Sequence, residues 1–486
     1  MPARYPAANT PMKEEYVMKR GTKIFVLLLT MLLLFVTVNG CLPAPAAVNG
    51  SQSRDKEPAV SASDSEDAEN SPVLPADAEI DLTVPMDKSK REATSLEVWY
   101  AVSGTSGEKF VEQAKAFDAG NDLVSLNLSY SGGSNDTSTK VSAALLTGTQ
   151  PDVALMYAGP SFTGSLGNYD MAQLIQRPDF KSDDIYPGIW DYCKYYNGKI
   201  CAVPYGISTP VMYYNKDILK AAGVDMTNPP KTWAEFLDVC KQCMQRGNVN
   251  KMDGFTAFDV TEIGWLFKSM CMQNGCPVVN VKDGIITPVF NSPEAVEVAQ
   301  YWKSLVDSGV MAPNEHTAAE NKFLSGNLAF VIMSSNRMSR WTDVDINIGA
   351  IEMPCFKNQS VALGGNVLVI FTQDPQKIEA AWDFIQYLLA PEQNLDFALS
   401  TGYLPVRQSE LSTDAAKQAV STNEMYSVAF KQLSYAWAYV HFEQMGTMDL
   451  LISDALSKIE KNTLAPQEAL DTAVDKLNQE MAADAQ

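Results

Sequence analysis

The chain has 486 residues, 46% of them hydrophobic and 20% charged, a globular composition with length for two or three domains and a large core. A formal net charge of -21 and a pI near 4.6 exclude electrostatic capture of nucleic acid phosphates, and an anionic membrane would repel the folded body.

At the N-terminus, Lys19, Arg20 and Lys23 precede an apolar run over residues 24–38, too short to span a bilayer comfortably. Val38-Asn39-Gly40-Cys41 follows and resembles a bacterial lipobox. Residues 1–40 are therefore expected to be a lipoprotein signal peptide and Cys41 the lipidated residue, with a plain signal peptide or short anchor helix as the alternative. Residues 41–94 turn to Pro, Ala, Ser, Asp and Glu, with too little apolar material to offset ordering entropy. They are expected to form a disordered, lipid-anchored linker, with a reach of roughly 40 Å for a flexible chain of this length.

The folded part opens with a strand-like run over residues 95–102, a Gly/Ser loop and a helix over 108–119 that sets Phe110, Val111, Ala114 and Phe117 on one side. A helix over 139–146 and a strand over 151–157 follow. Val211, Met212, Tyr213 and Tyr214 then form a β-rich run that meets Asn215, a good N-cap, with Asp217 near the positive helix end and Gly223 as a stop. Pro229 and Pro230 cannot continue that helix, and Thr232 with Glu235 fits a capping box for the next one. An apolar strand is predicted at residues 328–333, and further helices at 293–309, 376–389, 391–400 and 466–481. This alternation argues for an α/β body of doubly wound sheets.

Seven cysteines remain beyond Cys41, an odd number. Cys193 and Cys201 flank the turn signal Asn197-Gly198; a two-residue loop would put them off register, and a three-residue loop ending at Gly198 would set them opposite, where a disulfide is possible. Cys240 and Cys243 form a CxxC within a predicted helix, with no second CxxC or nearby His to complete a metal or redox site, and read as core or surface thiols. Cys271 and Cys276 read as packing residues or a local bridge. The two histidines, His316 and His441, and the lack of HExxH, G-x-S-x-G and GxxxxGK[ST] leave little enzyme machinery, and no catalytic residue, metal or cofactor is expected.

The stretch STPVMYYNKDILKAAGVDMTNPPKTW from Ser208, together with PDVALMY, YNGKICAVPY, FLSGNLAFVIMSS, LGGNVLVI, TGYLPV and APQEALDTAV, resembles the extracellular solute-binding proteins of sugar-type ABC importers. The likeness is to the branch that binds maltose-like sugars and glycerol-3-phosphate, and the blocks stand in that family's order. The resemblance implies a type II periplasmic-binding-protein-like fold: two lobes with a ligand cleft between them. Residues 95–206 plus 363–389 would be lobe 1, and 207–362 plus 390–486 lobe 2. It also implies a monomer that binds a carbohydrate-like small solute and meets the transmembrane subunits of an ABC permease, lipid-anchored on the outer face of a bacterial membrane, with no nucleic acid partner.

Carried over position by position, the resemblance implies ligand contacts from Ser208, from Ser334 or Ser335, from Gly365 of the pair Gly364-Gly365, and from Tyr403. Trp265 falls near the family's cleft tryptophans, with a core role as the other reading. Where the phosphate-ester binders have a tyrosine, a glutamate and an arginine, this chain has Ser134, Ala158 and His441. Arginine suits a bidentate grip on phosphate and a neutral imidazole cannot replace it fully, which points away from glycerol-3-phosphate. A different solute would then be read partly by the cluster Tyr435, Trp437, Tyr439 and His441, unless that cluster is core. Alternatives are a glycerophosphodiester or phospho-sugar receptor with His441 protonated, an exported carbohydrate hydrolase, and a receptor feeding a sensor kinase. Tyr403→Ala and Ser208→Ala are expected to weaken binding without unfolding the protein.

Overall fold

A computed structural model describes residues 82–158, 169–248, 250–341 and 344–484. The signal peptide, Cys41 and the linker up to residue 81 lie outside the described residues. The linker's last stretch is corrected: Leu82 is buried, its N–H donates to Gln173 Oε1 at 2.9 Å, and its carbonyl accepts from Arg177 Nε at 2.8 Å. Arg91 pairs with Asp383 at 2.7 Å. One leucine and one arginine with partners on the body suffice to seat a segment whose composition reads as tether.

The chain begins β1 (Thr94–Tyr100), α1 (Gly104–Ala119), β2 (Val124–Tyr130), α2 (Ser134–Thr147), β3 (Val153–Tyr157). It continues through α3 (Pro187–Tyr192), β4 (Val203–Ser208), β5 (Pro210–Asn215), α4 (Lys216–Ala222) and α5 (Trp233–Arg246). Next come β6 (Thr256–Val260), α6 (Ile263–Gln273), the hairpin β7 (Val279–Lys282) and β8 (Ile285–Pro288), α7 (Pro293–Asp307) and α8 (Ala319–Leu324). β9 (Leu328–Ser334), β10 (Ile348–Ile351), β11 (Val361–Ala362) and β12 (Gly364–Ile370) complete the sheets. Last are α9 (Pro375–Leu388), α10 (Pro391–Thr401), α11 (Asp414–Thr422), α12 (Glu424–Gln432), β13 (Ala436–Trp437), α13 (Met445–Glu460) and α14 (Pro466–Asp484).

Two sheets organise these elements. The first has the order β2-β1-β3-β12-β4, with β1 parallel to β2 and β3, and β12 antiparallel to β3 and β4. The second has the order β10-β5-β9-β6, with β5 antiparallel to both neighbours and β6 parallel to β9. β4, β5 and β12 are buried along their whole length and β9 up to its last residue, as in sheets covered on both faces. β4 ends on Ser208 in the first sheet and β5 starts on Pro210 in the second, so the chain crosses between sheets through Thr209.

Local signals work where they are strong. Asn215 Oδ1 accepts from the N–H groups of Asp217 and Ile218 at 3.0 and 3.1 Å, and Gly223 closes α4 at φ 73°. Thr232 Oγ1 accepts from Glu235 N at 3.2 Å while Glu235 Oε2 accepts from Thr232 N at 3.1 Å, a complete capping box. Two helices start earlier than their apolar spacing suggests, α1 at Gly104 and α2 at Ser134, because their first turns, Gly-Thr-Ser-Gly and Ser-Asn-Asp-Thr, carry no apolar stripe. The expected lobe partition needs one correction. α10 packs on α1, with Gln113 Nε2 donating to the Gln393 carbonyl at 2.6 Å and Lys109 pairing with Asp396 at 2.6 Å, so this helix joins the first sheet rather than the second.

Cys193 and Cys201 do stand opposite each other: Lys194 bridges Ile200, Cys201 N donates to the Cys193 carbonyl at 3.0 Å, and Gly198 takes φ 88° at the end of a three-residue loop. Both are present as thiols. At the second sheet, beside β6, His316 is buried between two carboxylates, Nδ1 lying 2.6 Å from Asp259 and Nε2 3.0 Å from Glu460. Although burial alone would lower it, hydrogen bonds and charge from both acids raise this imidazole to about 9. Glu460 is completed by Trp302 Nε1 at 2.7 Å and Asn314 N at 2.8 Å.

Candidate functional site

Strand ends from both sheets converge on one cavity of about 500 Å³. Gly364 pairs with Ser208 and Gly365 with Ile207; Asn366 pairs with Tyr157; and Ser334, the last residue of β9, pairs with Pro210. The start of α6 supplies Trp265 and Lys268 from the opposite side. Volume and lining suit a small organic solute, since such sites are typically about 300–1,000 Å³ and mix apolar faces with a few placed polar groups.

The aromatic wall is Tyr157, Trp265, Tyr403 and Tyr439. Trp265 Nε1 donates to the Leu363 carbonyl at 3.2 Å, and its ring lies so close to Gly364 that a Cβ there would meet a ring carbon at 2.9 Å. Gly365 has φ 118°, and a Cβ would sit 2.0 Å from the Gly206 carbonyl oxygen, so close strand approach and a left-handed backbone both demand glycine. Tyr403 stacks on Phe397 with ring planes 13° apart, and its hydroxyl accepts from Asn366 Nδ2 at 2.8 Å. Tyr157 and Tyr439 share a hydroxyl contact of 3.2 Å; burial pushes Tyr157 up to about 12 and Tyr439 well above its ordinary value, so both remain neutral hydroxyls.

The cavity also holds Glu262, Lys268, Arg337 and Asp449. Lys268 is almost wholly buried; its Nζ lies 2.6 Å from Asp449 Oδ1 and 4.0 Å above the Tyr439 ring. Arg337 lies 3.3 Å from Glu320 and 3.9 Å from Glu262, whose carboxyl is raised by burial and bonded by the Thr261 hydroxyl. Each cation in the lining therefore already has a carboxylate. Ser134, Ser208, Ser334, Ser453, Asn336 and Asn366 add neutral donors and acceptors. Among the described residues nothing donates to Asn336 Oδ1, which is itself buried.

Of the residues singled out from sequence, Ser208, Trp265, Ser334, Gly365 and Tyr403 come together at this cavity. Ser335, Trp437 and His441 do not line it. Ser335 turns into the core, its carbonyl accepting from Tyr213 at 3.4 Å, so of the serine pair only Ser334 faces the cavity. Trp437 sits edge-on to Tyr439 and its carbonyl accepts from Leu363 N at 2.7 Å, backing the wall rather than forming its surface. His441 is buried against Tyr192 and Tyr439. Burial, with the Lys268 charge nearby, pushes it down to about 3, so it is a neutral core imidazole. Tyr435 donates to Glu352 at 2.7 Å, away from the cavity. Sequence reasoning missed Lys268, Arg337, Glu262 and Asp449. A signal existed for Lys268, the only charge in the mostly apolar helix IGWLFKSMCMQ, and for Arg337, two residues beyond the serine pair.

Among the described residues no helix is long and apolar enough to cross a membrane. The chain is 24% identical over 412 residues to the sn-glycerol-3-phosphate-binding periplasmic protein UgpB of Escherichia coli K12, covering 79% of this chain and 92% of that one. Among solved structures it is similar to the cyclic α-maltosyl-1,6-maltose binding protein of Arthrobacter globiformis, with a TM-score of 0.70, 24% identity and coverage of 79% and 98%. It is also similar to UgpB of Mycobacterium tuberculosis in complex with glycerophosphocholine, with a TM-score of 0.70, 22% identity and coverage of 81% and 100%. These are two-lobed folds, as the two sheets here require. The family model of bacterial extracellular solute-binding proteins matches residues 112–423, and the chain belongs to that family.

Proposed function

We propose that the protein is the exported receptor of an ABC importer, capturing a neutral carbohydrate-like solute, a sugar, oligosaccharide or polyol, and presenting it to a membrane permease. The observation that carries this reading is the charge balance of the cavity: Lys268 and Arg337 face Asp449 and Glu262, so a neutral polyol meets aromatic faces and paired hydrogen-bond groups without stranding a buried charge. Contributions from both sheets mean that a bound solute favours the closed arrangement over the open one. Lipidation at Cys41 would hold the receptor beside its permease.

A second reading, a glycerol-3-phosphate or glycerophosphodiester receptor, draws support from Arg337 in the cavity and from the named ligands of the relatives. It would have to pull Arg337 from two carboxylates, and His441 offers no second cation. A thermal-shift screen of the full chain against neutral oligosaccharides, polyols and glycerol-3-phosphate separates the two. Ligand at ~100 times its dissociation constant adds about 2.7 kcal/mol of stability. Stabilisation by a neutral sugar supports the first reading, stabilisation by the phosphate ester alone supports the second, and turnover of any hit moves the protein to the hydrolase class.

A further inference from the structure

Helix α6 ends in a Schellman turn. Gly275, at φ 96°, donates from its N–H to the Met272 carbonyl at 3.1 Å, and Cys276 N donates to the Cys271 carbonyl at 2.8 Å. This motif brings the side chain of the residue two beyond the helix cap against that of the third residue from the helix end. Here both are cysteines, and both are buried. Cys276 Sγ also approaches the Val289 carbonyl at 3.4 Å. The chain beyond is strained, because Val278, a β-branched residue, takes φ 69°. By contrast Cys240 and Cys243 lie three apart on α5, a spacing that leaves Cβ atoms about 5–6 Å apart, wider than a disulfide prefers.

We propose that Cys271 and Cys276 close a disulfide across this turn, a modification that ties the strained loop to the base of the helix carrying Trp265 and Lys268 into the cavity. It rests on the export reading, since an oxidising compartment is where such a bond persists. Two S–H bonds break and one S–S bond forms. Two electrons and two protons pass to a disulfide-bearing oxidant, a small-molecule disulfide or a thiol–disulfide oxidoreductase, which leaves as two thiols. The Cys276 thiolate attacks the oxidant's sulfur and releases the first thiolate; Cys271 then loses its proton and displaces the second from the mixed disulfide. The Cys271 hydrogen bond holds the Cys276 thiol down to about 7, which makes it the first attacker, while burial pushes Cys271 well up. With only four residues between them, the pair closes as the turn forms, before the core covers it.

The test is direct because tryptic peptide 269–282 contains both cysteines and no others. The full chain is refolded in oxidising glutathione buffer, denatured, alkylated without reductant and digested. The expected peptide carries no alkyl group, is two hydrogens lighter than the dithiol, and takes two alkyl groups after reduction; in Cys271→Ser, Cys276 is alkylated without reduction. Two alkyl groups on the unreduced wild-type peptide would overturn the assignment. Protein recovered from exporting cells separates the premise: a bridge in refolded protein but thiols in the cellular protein supports the pairing and counts against the oxidising compartment.

Discussion

The two ends of α13 carry acids with opposite fates. Asp449, in its second turn, pairs with Lys268 and borders the cavity; Glu460, at its last residue, is sealed between His316, Trp302 and Asn314. The helix dipole opposes a carboxylate at the last residue, and the buried His316 supplies the cation that Glu460 needs there. The closed cluster has protein partners around Glu460 and His316 and serves the fold. The cavity cluster has one open side, and that side can meet a ligand.

The largest expected effect follows from breaking the closed cluster. His316→Ala strands Glu460 and Asp259 without their cation and should cost about 3–5 kcal/mol in urea denaturation, with the affinity of the remaining folded protein unchanged. Nearly as large is its pH dependence. The folded-state value of His316, about 9, lies above the unfolded 6.5, so this stabilisation is full below pH 6.5 and drains as pH rises through about 9. Roughly 3 kcal/mol should be lost over that window, and His316→Asn should flatten the profile.

On the open side the effects should fall on affinity. Trp265→Ala should weaken solute binding by about 2 kcal/mol, roughly 30-fold by calorimetry, with a smaller change in stability. Ser208→Ala, removing one hydroxyl, should cost about 1 kcal/mol of binding, roughly fivefold. Tyr403→Ala is not the clean probe its motif suggests, because the ring is buried and stacked on Phe397 and truncation would open a cavity in the core. Tyr403→Phe keeps that packing and removes only the acceptor of the Asn366 hydrogen bond.

The alternating strands and helices, the caps at Asn215 and Thr232 and the glycine pair at the crossing were readable because each is a local signal with one physical meaning. α13 was not foreseen, and with it went Asp449 and Glu460, whose significance depends on partners far away in the chain. His441 occupied the right place in a counted alignment, yet the fold turns it into the core behind Tyr439 and leaves Arg337, from another element, at the cavity. Backbone motifs are local, whereas the sign of a site's charge is settled by contacts between elements.

Calorimetric titration of the full chain with a neutral oligosaccharide and with glycerol-3-phosphate, at low and high salt, weighs the balanced cavity most plainly. Binding of the neutral ligand with an affinity that salt barely changes is the expected result, because no net charge is exchanged. Binding confined to the phosphate ester and weakening steeply with salt would contradict it, and would mean that Lys268 or Arg337 leaves its carboxylate for the ligand.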